Sequence, residues 1–168
     1  TSGSALYSTA CVYGGFTNTL DDCGNGSSAF GTTGTSSVGF SASYDIGNGF
    51  TGAVGYAGAG TGGGIMTKES TDYYGGQLAY AADSYGASVT YALLESADDT
   101  AYWGLNGYYT PDGGLPSISV GYEVGDPTTA ADTSQWFVGL QFDEVGPGGT
   151  FGVAAGSNGS IADGATEY

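Results

Sequence analysis

The chain has 168 residues, with 34 Gly, 14 Tyr, 17 acidic side chains, Lys68 as its one basic residue, and no His. The formal charge of −16 argues against nucleic acid and anionic phosphate ligands and makes cations the natural partners. Without His the usual general base and the Ser–His and Cys–His nucleophile pairs are missing, so no catalytic residue, cofactor or metal centre is expected.

No signal peptide is visible from Thr1 onward, so the sequence reads as a mature or trimmed product. No run approaches the roughly 18 apolar residues of a membrane-spanning helix. Residues 1–35 form a Gly/Ser-rich segment with the two cysteines, Cys11 and Cys23, and no further thiol or imidazole to complete a metal site. A disulfide closing that loop is the expectation, which places it outside the cytoplasm; two free thiols are the alternative.

From 36 to 156 the signal has period two, and Gly recurs too often for helix. Val38, Phe40, Ala42 and Tyr44 share one face of the first strand while Gly39, Ser41 and Ser43 take the other. Asp45-Ile-Gly-Asn-Gly49 supplies a turn, and Phe50, Val54 and Tyr56 lead back. After a Gly-rich loop come Tyr74, Leu78 and Tyr80, then Ala87, Val89, Tyr91 and Leu93. Trp103, Leu105 and Tyr109 follow, then Ile118, Val120, Tyr122 and Val124 beyond a turn at 111–116. Trp136, Val138, Leu140 and Phe142 lead through 143–148 to Phe151 and Val153. The pattern predicts an all-β, antiparallel up-and-down meander of eight strands in four hairpins, with 157–168 as a loop leading to a further strand.

Two features favour a transmembrane β-barrel over a soluble sandwich. Connections at 45–49, 82–85, 111–116 and 143–148 are short, those at 58–71, 125–133 and from 157 onward longer, and the one at 96–100 is a short exception. Aromatics of the apolar face gather near strand ends: Tyr44, Phe50, Tyr80, Tyr109, Tyr122, Phe142 and Phe151 beside the short turns, Tyr56 and Trp136 beside the loops. The opposite face is polar or tiny throughout, with Gln77, Asn106, Ser119, Gln141 and the acid Glu123 as candidates to line a pore. In the alternative, a soluble sandwich, the apolar face is an inner core and the Ser/Gly face meets water.

Several stretches in order resemble cyanobacterial outer-membrane porins of the OprB-like, iron-uptake-porin group: Tyr13-Gly-Gly-Phe16, Tyr44-Asp-Ile-Gly-Asn-Gly-Phe50, Leu115-Pro-Ser-Ile-Ser-Val-Gly-Tyr-Glu123, and Asp132-Thr-Ser-Gln-Trp-Phe-Val-Gly-Leu-Gln-Phe-Asp-Glu-Val-Gly-Pro-Gly148 followed by Thr150-Phe-Gly-Val-Ala-Ala. The resemblance implies an outer-membrane location in a Gram-negative-type bacterium, a trimeric homo-oligomer, and a larger protein with an N-terminal surface-layer-homology region. It also implies a barrel of about twice this strand count, of which this chain is an internal segment. Eight strands taken from a wide barrel leave two edges that lipid cannot satisfy. Porins commonly oppose a basic cluster to an acidic one at the constriction, and here the basic half is absent, so carbohydrate selectivity is not carried over.

Acids on the long-loop side, Glu69, Asp72, Glu95, Asp98, Asp99, Asp126, Asp132 and Asp163, are expected to surround one mouth, where such a ring concentrates cations; solvated loop acids are the alternative. Asn25-Gly-Ser27 and Asn158-Gly-Ser160 match a glycosylation sequon by accident of composition, and 58–64 is a flexible Gly-rich loop. The expected function is a porin passing small hydrophilic solutes and inorganic ions with a cation preference, bounded by outer-membrane lipid. The alternatives are an extracellular structural or filament-forming protein assembling through strand edges, and a small closed barrel that does not conduct. Spin labels placed in turn at Val120 and Ser119 in lipid vesicles are expected to contact lipid at Val120 only; lipid contact at Ser119 overturns the assignment of faces.

Overall fold

The computed structural model describes residues 38–58, 66, 72–95, 97–157 and 166–167. The expected cysteine loop lies outside them, as do Glu69 and Asp163. The described residues form one antiparallel sheet with no helix, its strands hydrogen-bonded in sequence order. The strands are β1 Val38–Gly47, β2 Phe50–Gly58, β3 Asp72–Ala81, β4 Tyr85–Glu95, β5 Thr100–Tyr109, β6 Ser117–Pro127, β7 Thr133–Val145, β8 Gly149–Ser157 and the two-residue β9 Thr166–Glu167. β9 pairs with the end of β8 through Gly156↔Glu167 and Ser157↔Thr166. Among the described residues this order places β1 and β9 at the two ends of the sheet.

At the first hairpin, Gly47 and Gly49 take positive φ values of 90° and 83° around Asn48, while the Asp45 side chain accepts a 2.8 Å bond from the Gly47 N–H. That is the turn chemistry expected of this segment.

Across β4 and β5 the apolar face is the more exposed one. Leu105 is 60% exposed and Trp103 55%, whereas Thr90 and Ala92 on the other face are 1% exposed. Along β4 the alternation is regular, with Gly86, Ser88, Thr90 and Ala92 sheltered and Tyr85, Ala87 and Val89 exposed. The sheltered face along β4 is the one that carries the small and polar residues.

Three aromatics on the sheltered face each lie over a glycine of the neighbouring strand, a pairing that fills the space a missing side chain leaves. Tyr108 is registered with Gly86, Tyr102 with Gly125, and Phe137 with Gly121. A Cβ on Gly125 would stand 2.9 Å from the Tyr102 ring, and one on Gly121 would overlap the Phe137 ring and come 2.5 Å from Asn106 Oδ1.

The connections differ from expectation in length. Because β6 extends to Pro127, the connection after it shrinks to 128–132 and is shorter than that at 110–116. The contrast between the two ends of the sheet therefore rests on 59–71 and 158–165 alone.

Replacing Gly121 with Val is expected to destabilise the sheet by about 1–3 kcal/mol, the usual range for overpacking. Denaturant unfolding in detergent measures it, and Gly76→Val, where an added Cβ meets only the Ala53 carbonyl at 3.8 Å, controls for loss of glycine as such.

Candidate functional site: a sheltered polar face and a belted apolar face

Each long strand contributes to two surfaces. On the exposed face, aromatics recur at a fixed interval of six residues: Phe50 and Tyr56 on β2, Tyr74 and Tyr80 on β3, Tyr85 and Tyr91 on β4, Trp103 and Tyr109 on β5, and Trp136 and Phe142 on β7. At about 3.3 Å per residue, six residues span roughly 20 Å along the strand. Antiparallel register collects the members into two belts. Near the short turns the rings of Phe50 and Tyr80 lie 4.8 Å apart, those of Tyr80 and Tyr85 5.8 Å, and those of Phe142 and Phe151 6.1 Å. At the other end Phe40 and Tyr56 are 5.4 Å apart, Tyr56 and Tyr74 5.4 Å, and Tyr91 and Trp103 4.6 Å.

Tyr122 corrects an expectation. It pairs with Trp136 and Leu105 and so belongs with the loop-side aromatics rather than beside the short turns. Between the belts the exposed face carries Gly52, Val54, Gly76, Leu78, Ala87, Val89, Leu105, Gly107, Val138 and Leu140, with no charged residue.

The sheltered face carries the candidate pore residues in registered rows. One row runs Ala53↔Gln77↔Thr90↔Gly104↔Glu123↔Gln135 across six strands. Within it Gln77 Nε2 donates to Thr90 Oγ1 at 3.3 Å, and Gln135 Nε2 donates to Glu123 Oε1 at 3.1 Å. Glu123 is 5% exposed, the acid of this face that the alternation singled out. The next row places Asn106 between Ser88 and Gly121, and Ser119 lies between Tyr108 and Gly139. Gln141 sits apart, near the short turns, where its Nε2 donates to Asp143 Oδ1 at 2.6 Å. Sequence reading singled out Glu123 but not its donor Gln135 or the aromatic neighbour Tyr102, because cross-strand partners are visible only once register is fixed.

Of the acids expected around a mouth, the described ones, Asp72, Glu95, Asp98, Asp99, Asp126 and Asp132, lie at one end of the sheet in different local settings. Asp72, Glu95 and Asp126 fall on the same face of their strands as Tyr74, Leu93 and Val124, opposite the polar surface, and Asp72 is buried there. Asp98 and Asp99 join two connections: Asp98 Oδ1 accepts from the Thr129 N–H at 2.9 Å, and the Asp99 carbonyl accepts from the Thr128 N–H and hydroxyl, both at 2.9 Å. Asp132 is exposed in the connection before β7.

Comparison with protein-family models, curated proteins and solved structures finds no match. The class defined by the described residues is a single antiparallel up-and-down β-sheet.

Gln135→Leu removes a donor from a sheltered carboxylate and is expected to cost about 1–3 kcal/mol. The same change coupled with Glu123→Leu is expected to recover part of that loss, and a double-mutant cycle in denaturant measures the coupling.

Proposed function

We propose that this chain forms part of the wall of an outer-membrane β-barrel of the porin type. The barrel provides a water-filled channel for passive diffusion of small hydrophilic solutes and inorganic ions, with a preference for cations, in the outer membrane of a Gram-negative-type bacterium. The observation that carries this reading is the inverted burial: an uncharged apolar face, bracketed by two aromatic belts, is turned outward while the polar, small-residue face is sheltered. A soluble sandwich would bury the larger apolar side chains, since about 25 cal/mol per Å² is gained by removing them from water.

The edges at β1 and β9 are completed by further strands of the same barrel or by neighbouring copies of the chain. The same two edges favour a second reading, an extracellular assembly built by strand pairing between subunits. That reading predicts fibres in detergent-free solution.

The channel reading is tested by planar-bilayer recording, where stepwise, cation-selective conductance is expected; a silent bilayer from inserted protein sinks it. Glu123→Gln is expected to lower the cation-to-anion permeability ratio by up to about thirtyfold, since a unit charge at about 4 Å in water attracts a cation and repels an anion by ~1 kcal/mol each. Val138→Arg, between the belts, is expected to cost about 2–4 kcal/mol in lipid vesicles. Gln141→Arg, beside Asp143 on the polar face, is expected to cost little.

A further inference from the structure

The two aromatic belts do not follow the hydrogen-bonded rows of the sheet. On the loop side Tyr56 is registered with Tyr74, Tyr91 with Trp103, and Tyr122 with Trp136. Between these pairs the register slips: Tyr74 stands opposite Leu93, two positions from Tyr91, and Trp103 stands opposite Val124, two positions from Tyr122. On the turn side Phe50 pairs with Tyr80, Tyr85 with Tyr109, and Phe142 with Phe151. Tyr80 stands opposite Ala87, two positions from Tyr85, and the row of Tyr109 runs through Ile118 to Leu140, two positions from Phe142. Every slip runs toward the short turns, so both belts shift by two residues for every two strands and stay six residues apart.

Stacking between rings gives no reason for this, because directly registered side chains make the closer contacts and a belt held only by its own rings would keep to one row. The constraint comes from outside the sheet and is planar. One residue of rise, about 3.3 Å, for each strand spacing of about 4.8 Å inclines the belts by about 35° to the hydrogen-bonded rows. Measured across that incline, the six-residue interval of roughly 20 Å becomes roughly 16 Å. The ring tips agree with an interface at this height. The Tyr56 hydroxyl donates to Asp72 at 2.8 Å and the Tyr74 hydroxyl to Glu95 at 3.4 Å, and both acids lie one row nearer the loop end. The polar tips thus point out of the apolar band, as amphipathic rings do between an apolar and a wet medium.

We propose that the two belts mark the faces of one lipid hydrocarbon layer, roughly 16 Å thick, against which the strands lean about 35° from the membrane normal. The proposal rests on the reading of the chain as part of a membrane barrel and specifies the partner of its outer face. That partner is a bilayer of short acyl chains, thinner than the ~30 Å of an ordinary hydrocarbon core and than the ~25 Å apolar band usual for outer-membrane barrels. Leaning strands also place residues of one row at different depths. Val54 and Val124 share the row of Tyr91 and Trp103, yet Val54 falls between the belts and Val124 beyond the loop-side belt.

The test uses the purified full chain in phosphatidylcholine vesicles whose acyl chains carry bromine at known depths. Trp103→Phe leaves Trp136 as the one tryptophan, and Trp136→Phe leaves Trp103. The two lie on different rows but on one belt, so both are expected to be quenched most by bromine nearest the headgroups, with the same depth profile. Profiles displaced by one row, about 6–7 Å along the strand, overturn the proposal, because the rows and not the belts then lie in the membrane plane. In a background with both tryptophans replaced by Phe, Val54→Trp is expected to be quenched deeper in the layer than Val124→Trp, and equal depths overturn the proposal. The denaturant midpoint of the unaltered chain is expected to be higher in dilauroyl than in dioleoyl vesicles; a midpoint equal or higher in dioleoyl overturns the thickness. Tryptophans that no brominated lipid quenches, in thin or thick vesicles, overturn the membrane reading itself.

Discussion

In a single-layered sheet the two faces compete for the inside of the curve, and the face with the smaller side chains takes it because it can be compressed without overlap. Ser88, Thr90, Ala92, Gly104 and Gly139 are small and sheltered, while Trp103, Leu105, Tyr122 and Trp136 on the other face are exposed. Glu123 and its donor Gln135 lie on the sheltered face, and the apolar residues are the exposed ones. The proposed membrane wall is supported by that exposed apolar surface, since lipid is the solvent in which exposed Leu105 and Val138 cost nothing.

Much of this arrangement was legible in the sequence because period two is a local property. Val38, Phe40, Ala42 and Tyr44 declare their common face without any knowledge of β2, and the turn at 45–49 declares itself through Asp, Asn and Gly. The six-residue aromatic interval was legible as well, in pairs such as Tyr74 and Tyr80 or Trp103 and Tyr109, once positions are compared strand by strand. Relations across strands were not. Placing Tyr122 beside Trp136, or seeing that 128–132 is a short connection fastened to Asp98 and Asp99, requires the register of β5 to β7.

The acidic residues show the same division. Their common end of the sheet follows from chain order, but their roles follow from pairing. Asp72 looks like one more loop acid until β2 and β3 are aligned, when it becomes a buried partner of Tyr56, sixteen positions earlier in the chain. Net charge therefore describes the surface field poorly where individual carboxylates are already engaged by hydroxyls and amides.

The three rings resting on glycines also bear on how much room the polar face leaves. A tyrosine or phenylalanine standing upright from a sheet projects its full length into whatever space the sheet encloses. Laid over Gly86, Gly125 or Gly121, the rings of Tyr108, Tyr102 and Phe137 occupy volume the backbone had left vacant. In the proposed channel, aperture would thus be governed by strand number and by side chains such as Gln135, registered with Glu123 rather than with a glycine, and aromatic content would be a poor guide to pore width.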